Sequence, residues 1–243
     1  MIVNLQCDGW EIIYHRAHAL LAAQIAGHWD FTCKSHRLYE TIAAIAHHDD
    51  LEKEWEEDQL TDAGAPLDFT LQRSTSVAQL RRHADEALYK GRWVAMLISM
   101  HQCFLNQGSE DPKIAEFLAA QQERQAQWRQ ELDISEDEAD YAYNFMRWCD
   151  RLSLILCQRQ VPDSGRKLEV TTGPEGKEHH LYQLDSGAVC IQPWPFAPDA
   201  FEVAVDACYL SQLQFESNEA LTAALKEAPY QEIRWKLTCG SRA

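Results

Sequence analysis

The sequence predicts an α+β protein that is mainly α, a helical core with a small antiparallel β region formed by the two chain ends. Three observations carry this expectation. Apolar residues recur every three or four positions through most of the first two thirds of the chain. After Val161-Pro162-Asp163-Ser164-Gly165 the period shifts towards two, with short β-branched and aromatic runs separated by Gly, Pro and Asp turns. The extreme N-terminus shares the second pattern, which makes it a natural pairing partner for the later strands. The expected division is a helical core over 15–160, with 1–14 and 161–243 forming a β-rich region packed on it.

The elements follow in order. Residues 1–13 read as two short strands around a Cys7-Asp8-Gly9 turn. His18, Leu21, Ala22, Ile25 and His28 share one face of a helix spanning Arg16 to His28. A second helix is expected from Ser35 to His48, burying Leu38, Ile42 and Ile45. The charged stretch after Asp50 and the Gly64-Ala65-Pro66 signal end that regularity, and the loop from Leu51 to Phe69 is placed to serve as an access lid. Helical character resumes over Val77 to Tyr89, and Trp93, Met96, Leu97, Met100 and Phe104 form the stripe of the next helix, with His101 at its edge. Asp111-Pro112 opens a glutamine-rich helix, because proline tolerates the first turn. Ser135 and Glu138 form a capping box before the long run from Ala139 to Gln158. Strands are expected at Lys167–Thr171, Leu181–Leu184, Ala188–Ile191, Phe201–Tyr209 and Glu232–Cys239, with a helix over Asn218–Lys226.

Composition removes several function classes. A formal charge of −16 repels a phosphate backbone, so polymeric nucleic acid is not an expected partner. A small phosphorylated molecule remains acceptable, since a bound cation changes the local potential more than distant carboxylates do. No run approaches the ~20 apolar residues of a membrane span, and no secretory pattern opens the chain, so a cytoplasmic protein without membrane contact is expected. The eight cysteines include no Cys-x-x-Cys pair and several sit inside apolar periods, which reads as reduced, buried thiols. A homo-oligomer is compatible with all of this.

The chemistry concentrates in histidines and aspartates. Imidazole nitrogen and carboxylate oxygen are ligands that Zn, Mn, Fe and, for the carboxylates, Mg accept. His48 and Asp49 diverge by roughly 100° on a helix, so both reach one ion only where the helix ends, and Asp50 and the polar loop supply that end. Asp150 lies within the longest apolar helix, where an unpaired carboxylate is costly and calls for a metal, an arginine such as Arg147 or Arg151, or backbone donors. His18 reads as a ligand or a satisfied core histidine, and His101 as a ligand, a donor to a phosphate oxygen or ordinary packing. Arg82, Arg92 and Arg151 are available as phosphate clamps. His179 and His180 read as exposed turn residues. No phosphate loop, dinucleotide glycine pattern, serine elbow or His-Glu-x-x-His motif occurs.

Two resemblances attach to these residues. His18-Ala19-Leu20 with Gln24, His48-Asp49-Asp50, Pro66-Leu67-Asp68-Phe69, Ser99-Met100-His101 and Trp148-Cys149-Asp150-Arg151-Leu152-Ser153-Leu154 resemble, over nearly the whole chain, an uncharacterised bacterial family of unknown function. In that family the double aspartate is usually followed by Gly-Trp, whereas Leu51-Glu52 stand here. More remotely, His18, His48-Asp49 and Asp150 resemble the ligand order of the HD-domain metal-dependent phosphohydrolases. That resemblance implies a helical HD-like core, with His18, His48, Asp49 and Asp150 as ligands of a divalent ion. Asp49, Asp50 and His101 would then be catalytic, acting on a small phosphate ester or nucleotide. A metal- or ligand-binding module without turnover, and an interaction protein with a buried His/Asp network, are the alternatives.

Overall fold

The computed structural model describes residues 1–31, 37–51, 53–56, 58–71 and 76–240. Among them, β1 (Ile2–Gln6) and β2 (Gly9–Ile13) form a hairpin that leads into α1 (His15–Gly27) and α2 (Leu38–His47). The helices α3 (Val77–Ala87), α4 (Arg92–Asn106), α5 (Pro112–Leu132) and α6 (Glu136–Cys157) follow. Then come β3 (Leu168–Thr172), β4 (Glu178–Gln183), β5 (Val189–Gln192), β6 (Ala200–Leu210), α7 (Asn218–Glu227) and β7 (Tyr230–Thr238). Ser35 and His36, the start of the second expected helix, lie outside the described residues, as does Cys33.

The expected fold class is overturned. Helix makes up 47% and strand 21% of the described residues, and their seven strands form a single mixed sheet curled into a half-barrel. This is neither a helical HD-like core nor a small antiparallel annex. Strand order is β1-β2-β6-β7-β5-β4-β3, and β5 runs parallel to β7. The physical reason is one of connection. β6 and β7 pair over nine residues, from Ala200 with Thr238 to Cys208 with Tyr230, and α7 between them carries the chain back. The end of β7 therefore meets β5 from inside the sheet, joining the N-terminal hairpin to β3 and β4 in one surface. A period of two identifies strands but contains no partner or direction.

The helices form a layer against this sheet. α1 packs on β6 and α6 on β3, while α2 and α4 cover α1 and α6, with α5 outermost on α4. One continuous core runs through both layers, from Ile2 and Ile13 through Leu21, Ile25, Ile45, Met96, Phe145 and Trp148 to Leu181, Val203 and Leu237. A smaller cluster of Ile12, Cys208, Leu210, Leu221 and Leu225 seats α7. Trp93 Nε1 donates to Thr41 Oγ1 at 2.9 Å and Gln125 Nε2 to Ser99 Oγ at 2.9 Å, tying α4 to α2 and to α5.

Local signals act as the sequence suggests. Ser135 and Glu138 close a capping box on α6, and Asp111 caps α5 with Pro112 in the first turn. His179 departs from expectation. It sits in β4, 4% exposed, against Trp148 and Trp29 rather than in a solvated turn. The loop expected as a lid is fastened in its described part. Phe69 N donates to Met1 O at 2.9 Å, Val3 N to Asp68 Oδ2 at 2.9 Å and Phe215 N to Gly64 O at 2.7 Å. Gly64 has φ 76°, and a Cβ there would stand 2.8 Å from Phe215 O, so only glycine fits this approach.

Candidate metal centre

Three helices and one helix end bring the donors together. α1 supplies His18, α4 supplies His101 and α6 supplies Asp150, all with little exposure. α2 stops at His47, so His48 occupies the cap position and Asp49 the turn beyond it. That ending lets two adjacent side chains point to one place. Donor atoms of His18, His48 and Asp49 lie within 4.8 Å of one another, and so do those of His48, His101 and Asp150.

The hydrogen bonds fix which nitrogens face inward. Ser153 Oγ donates to Asp150 O at 2.8 Å, so its lone pair takes the proton of His18 Nδ1 at 3.0 Å. This leaves His18 Nε2 facing Asp49 Oδ2 at 2.5 Å. His48 Nδ1 donates to Ile45 O at 2.6 Å, one of the carbonyls that a helix end leaves unpaired. Its Nε2 then faces Asp150 Oδ1 at 3.2 Å and Asp49 Oδ2 at 3.7 Å. In both cases an imidazole Nε2 faces a carboxylate oxygen, and the two attract only through a shared proton or a cation. The outer nitrogens are held by a hydroxyl and a carbonyl, the support that metal-ligating histidines commonly have.

The electrostatics show how these side chains balance one another. Burial disfavours a charged His48, but Asp49 and Asp150 outweigh it and hold its pKa at about 10. Burial would raise Asp49, yet His48 and His18 keep it well below the carboxylate range, and Asp150 is lowered against burial by His48, His101 and His18. Burial and the charged His48 push His101 down to about 4, so it is neutral with one bare nitrogen. Among the described residues no arginine or lysine pairs with Asp49 or Asp150. A dication would supply the charge that a proton on His48 now supplies.

The remaining candidates lie apart. Asp50 belongs to neither donor set and binds His47 Nδ1 at 2.9 Å and Lys90 Nζ at 3.2 Å, with Arg16 Nε at 4.0 Å. Arg92 pairs with Glu131 on α5. Arg147, a sequence candidate for pairing with Asp150, instead lies over the Phe104 ring at 5.1 Å. Sequence reasoning missed Lys90, Arg16 and Ser153. Ser153 carries a signal in its spacing, three residues after Asp150 on the same face of α6. Lys90 carries none, because only the packing of α3 and α4 brings it to Asp50.

Residues 1–212 match the model of a family described as a protein of unknown function, DUF3891. The chain belongs to the DUF3891 family. No curated protein and no solved structure matches the chain. No described helix of this DUF3891 member is long and apolar enough to cross a membrane.

Proposed function

We propose that this DUF3891 protein is a divalent-metal-dependent hydrolase of a small phosphate ester, with His18, His48, Asp49 and Asp150 as metal ligands. The observation that carries the reading is the pair of imidazole Nε2 atoms aimed at two buried carboxylates without a lysine or arginine between them. His48 has only Nε2 to offer, which supports reading the two overlapping donor sets as one ion position. The donor order also resembles that of HD-domain phosphohydrolases; the likeness is in chemistry and order, since the fold differs.

A divalent ion at this position supplies charge to a phosphoryl oxygen and acidity to water. The protein's own groups would do the rest. Asp49, on the more open side of the centre, would accept a proton from the attacking water while His18 holds its other edge. His101, neutral and buried, would donate towards the leaving group or complete the ligand set. Asp50, clamped by Lys90, Arg16 and His47, would hold the end of α2 in the turn that presents Asp49.

Elemental analysis of purified, untagged protein tests the centre, with about one equivalent of transition metal expected natively or after reconstitution. Less than about a tenth of an equivalent would rule it out. A phosphatase and phosphodiesterase screen tests the chemistry, and activity surviving in Asp49→Ala or Asp150→Ala would reject the assigned roles. Metal without turnover on any ester would make the protein a binding module instead.

A further inference from the structure

The packing of α4 on α6 beside the metal centre contains polar groups that the four proposed ligands leave unused. His101 Nδ1, Tyr143 Oη and Arg147 Nε are buried, and none has a hydrogen-bond partner among the described residues. His101 is 3% and Tyr143 8% exposed, so neither side chain can turn to bulk solvent for a partner. A buried hydroxyl or ring nitrogen left without one is costly, and such groups are rare without a reason.

Geometry places these groups in one row. Tyr143, Arg147 and Asp150 stand at i, i+4 and i+7 on α6, one face of the helix. His101 faces them from α4, its ring 6.3 Å from that of Tyr143 and 5.0 Å from that of His48. Phe104, one turn after His101, lies 6.3 Å from the Tyr143 ring and carries the Arg147 guanidinium at 5.1 Å. No ion pair of Arg147 with a carboxylate occurs among the described residues, although acidic residues outnumber basic ones by 38 to 22 in this chain. An arginine whose guanidinium lies over a ring, with no carboxylate partner among the described residues and next to an unpartnered phenol, offers donors and no acceptor to whatever enters.

We propose that Tyr143 and Arg147, beside His101, form an anion-binding subsite between α4 and α6 that holds the unreacting phosphoryl oxygens of the substrate. This rests on the phosphoester reading above and adds its recognition residues. The guanidinium fork takes two oxygens, the phenol donates to one, and the reacting phosphorus is thereby directed to the side of Asp150 and Asp49.

The test is calorimetric titration of inorganic phosphate into the full chain, once after chelation and once after reloading with manganese, with elemental analysis of the same samples. Arg147→Ala should weaken phosphate binding about tenfold or more and Tyr143→Phe about fivefold, both keeping wild-type metal content and melting temperature. Arg147→Lys keeps the charge but not the fork, and carries the same test should the alanine variant fail to fold. Normal metal content with phosphate affinity unchanged within about twofold in all three variants overturns the subsite and leaves the metal centre standing. Arg147-dependent phosphate binding by a wild type that takes up no metal supports the subsite and overturns the metal reading. A wild type that binds no phosphate in either form overturns the subsite.

Discussion

Glu11 and Asp150 are both buried carboxylates, yet they keep different company. Glu11 is 2% exposed and receives Arg159 Nε at 3.1 Å and Nη2 at 2.7 Å, Tyr209 Oη at 2.9 Å and Asn4 Nδ2 at 3.0 Å. Its partners come from β1, β6 and the residues after α6, and Asn4 also caps the end of α6 at Cys157 O. Every lone pair is answered and the charge is matched, so the cluster is a finished joint between sheet and helix. Asp150, with Asp49 beside it, meets imidazoles whose other nitrogens are already committed. A buried acid that the fold completes by itself belongs to stability. One that the fold leaves short of a cation points to a ligand.

The comparison is broken most directly at Asp150. Asp150→Asn preserves shape and removes one charge, and should reduce bound metal below about a tenth of an equivalent and phosphoester hydrolysis by at least about a hundredfold. Glu11→Gln should leave metal content at the wild-type level in the same elemental analysis.

Stability should separate the clusters in the opposite sense. Arg159→Met strands Glu11 and should cost about 2 kcal/mol in urea unfolding, the loss being moderated because Arg159 is 41% exposed. Metal-free Asp150→Asn should stay within about 1 kcal/mol of metal-free wild type, since it removes one of two like charges. A loss there as large as that of Arg159→Met would mean that the centre is a structural network.

A smaller effect concerns the hydroxyl that orients His18. Ser153→Ala should weaken metal binding about tenfold in a chelator competition while leaving the fold intact. An unchanged affinity would remove Ser153 from the description of the site.

The finest distinction is in pH. Burial would raise Glu11, but Arg159, Tyr209 and Asn4 lower it below its ordinary 4.5. A depressed carboxylate contributes stability that is present above pH 4.5 and is lost as pH falls through its folded value. The gap between wild type and Arg159→Met in urea midpoint should therefore be constant near neutrality and narrow below pH 4.5. A gap that persisted into acid would show that Arg159 acts through packing on Trp235, over which it lies at 5.6 Å.

Much of the candidate site was legible because its donors are placed by helices. His18 falls on the buried stripe of α1, Asp150 interrupts the apolar run of α6, and the change of composition after Asp50 marks where α2 must end. Asp50 read as part of the same cluster because proximity in sequence resembles proximity in space. Its actual partners, Lys90 and Arg16, come from other elements, and nothing in a local pattern announces them. Arg147 shows the reverse error. Three residues from Asp150, it is a natural ion-pair partner by spacing, but Phe104 on α4 draws its guanidinium away.

The sequence by itself determined the helical periods, the caps at Asp111 and Ser135, the short strands and the order in which histidine and aspartate donors occur. These depend on neighbours within about a turn or two, where spacing and backbone chemistry suffice. Only the tertiary structure decided that β5 joins β7 in parallel and that seven strands make one curled sheet. It alone decided which imidazole nitrogens face the carboxylates, and that Glu11 has an arginine while Asp150 has none. Strand partners and buried charge partners are chosen across long chain separations by what packing leaves within reach, and that selection is not written at either partner's position.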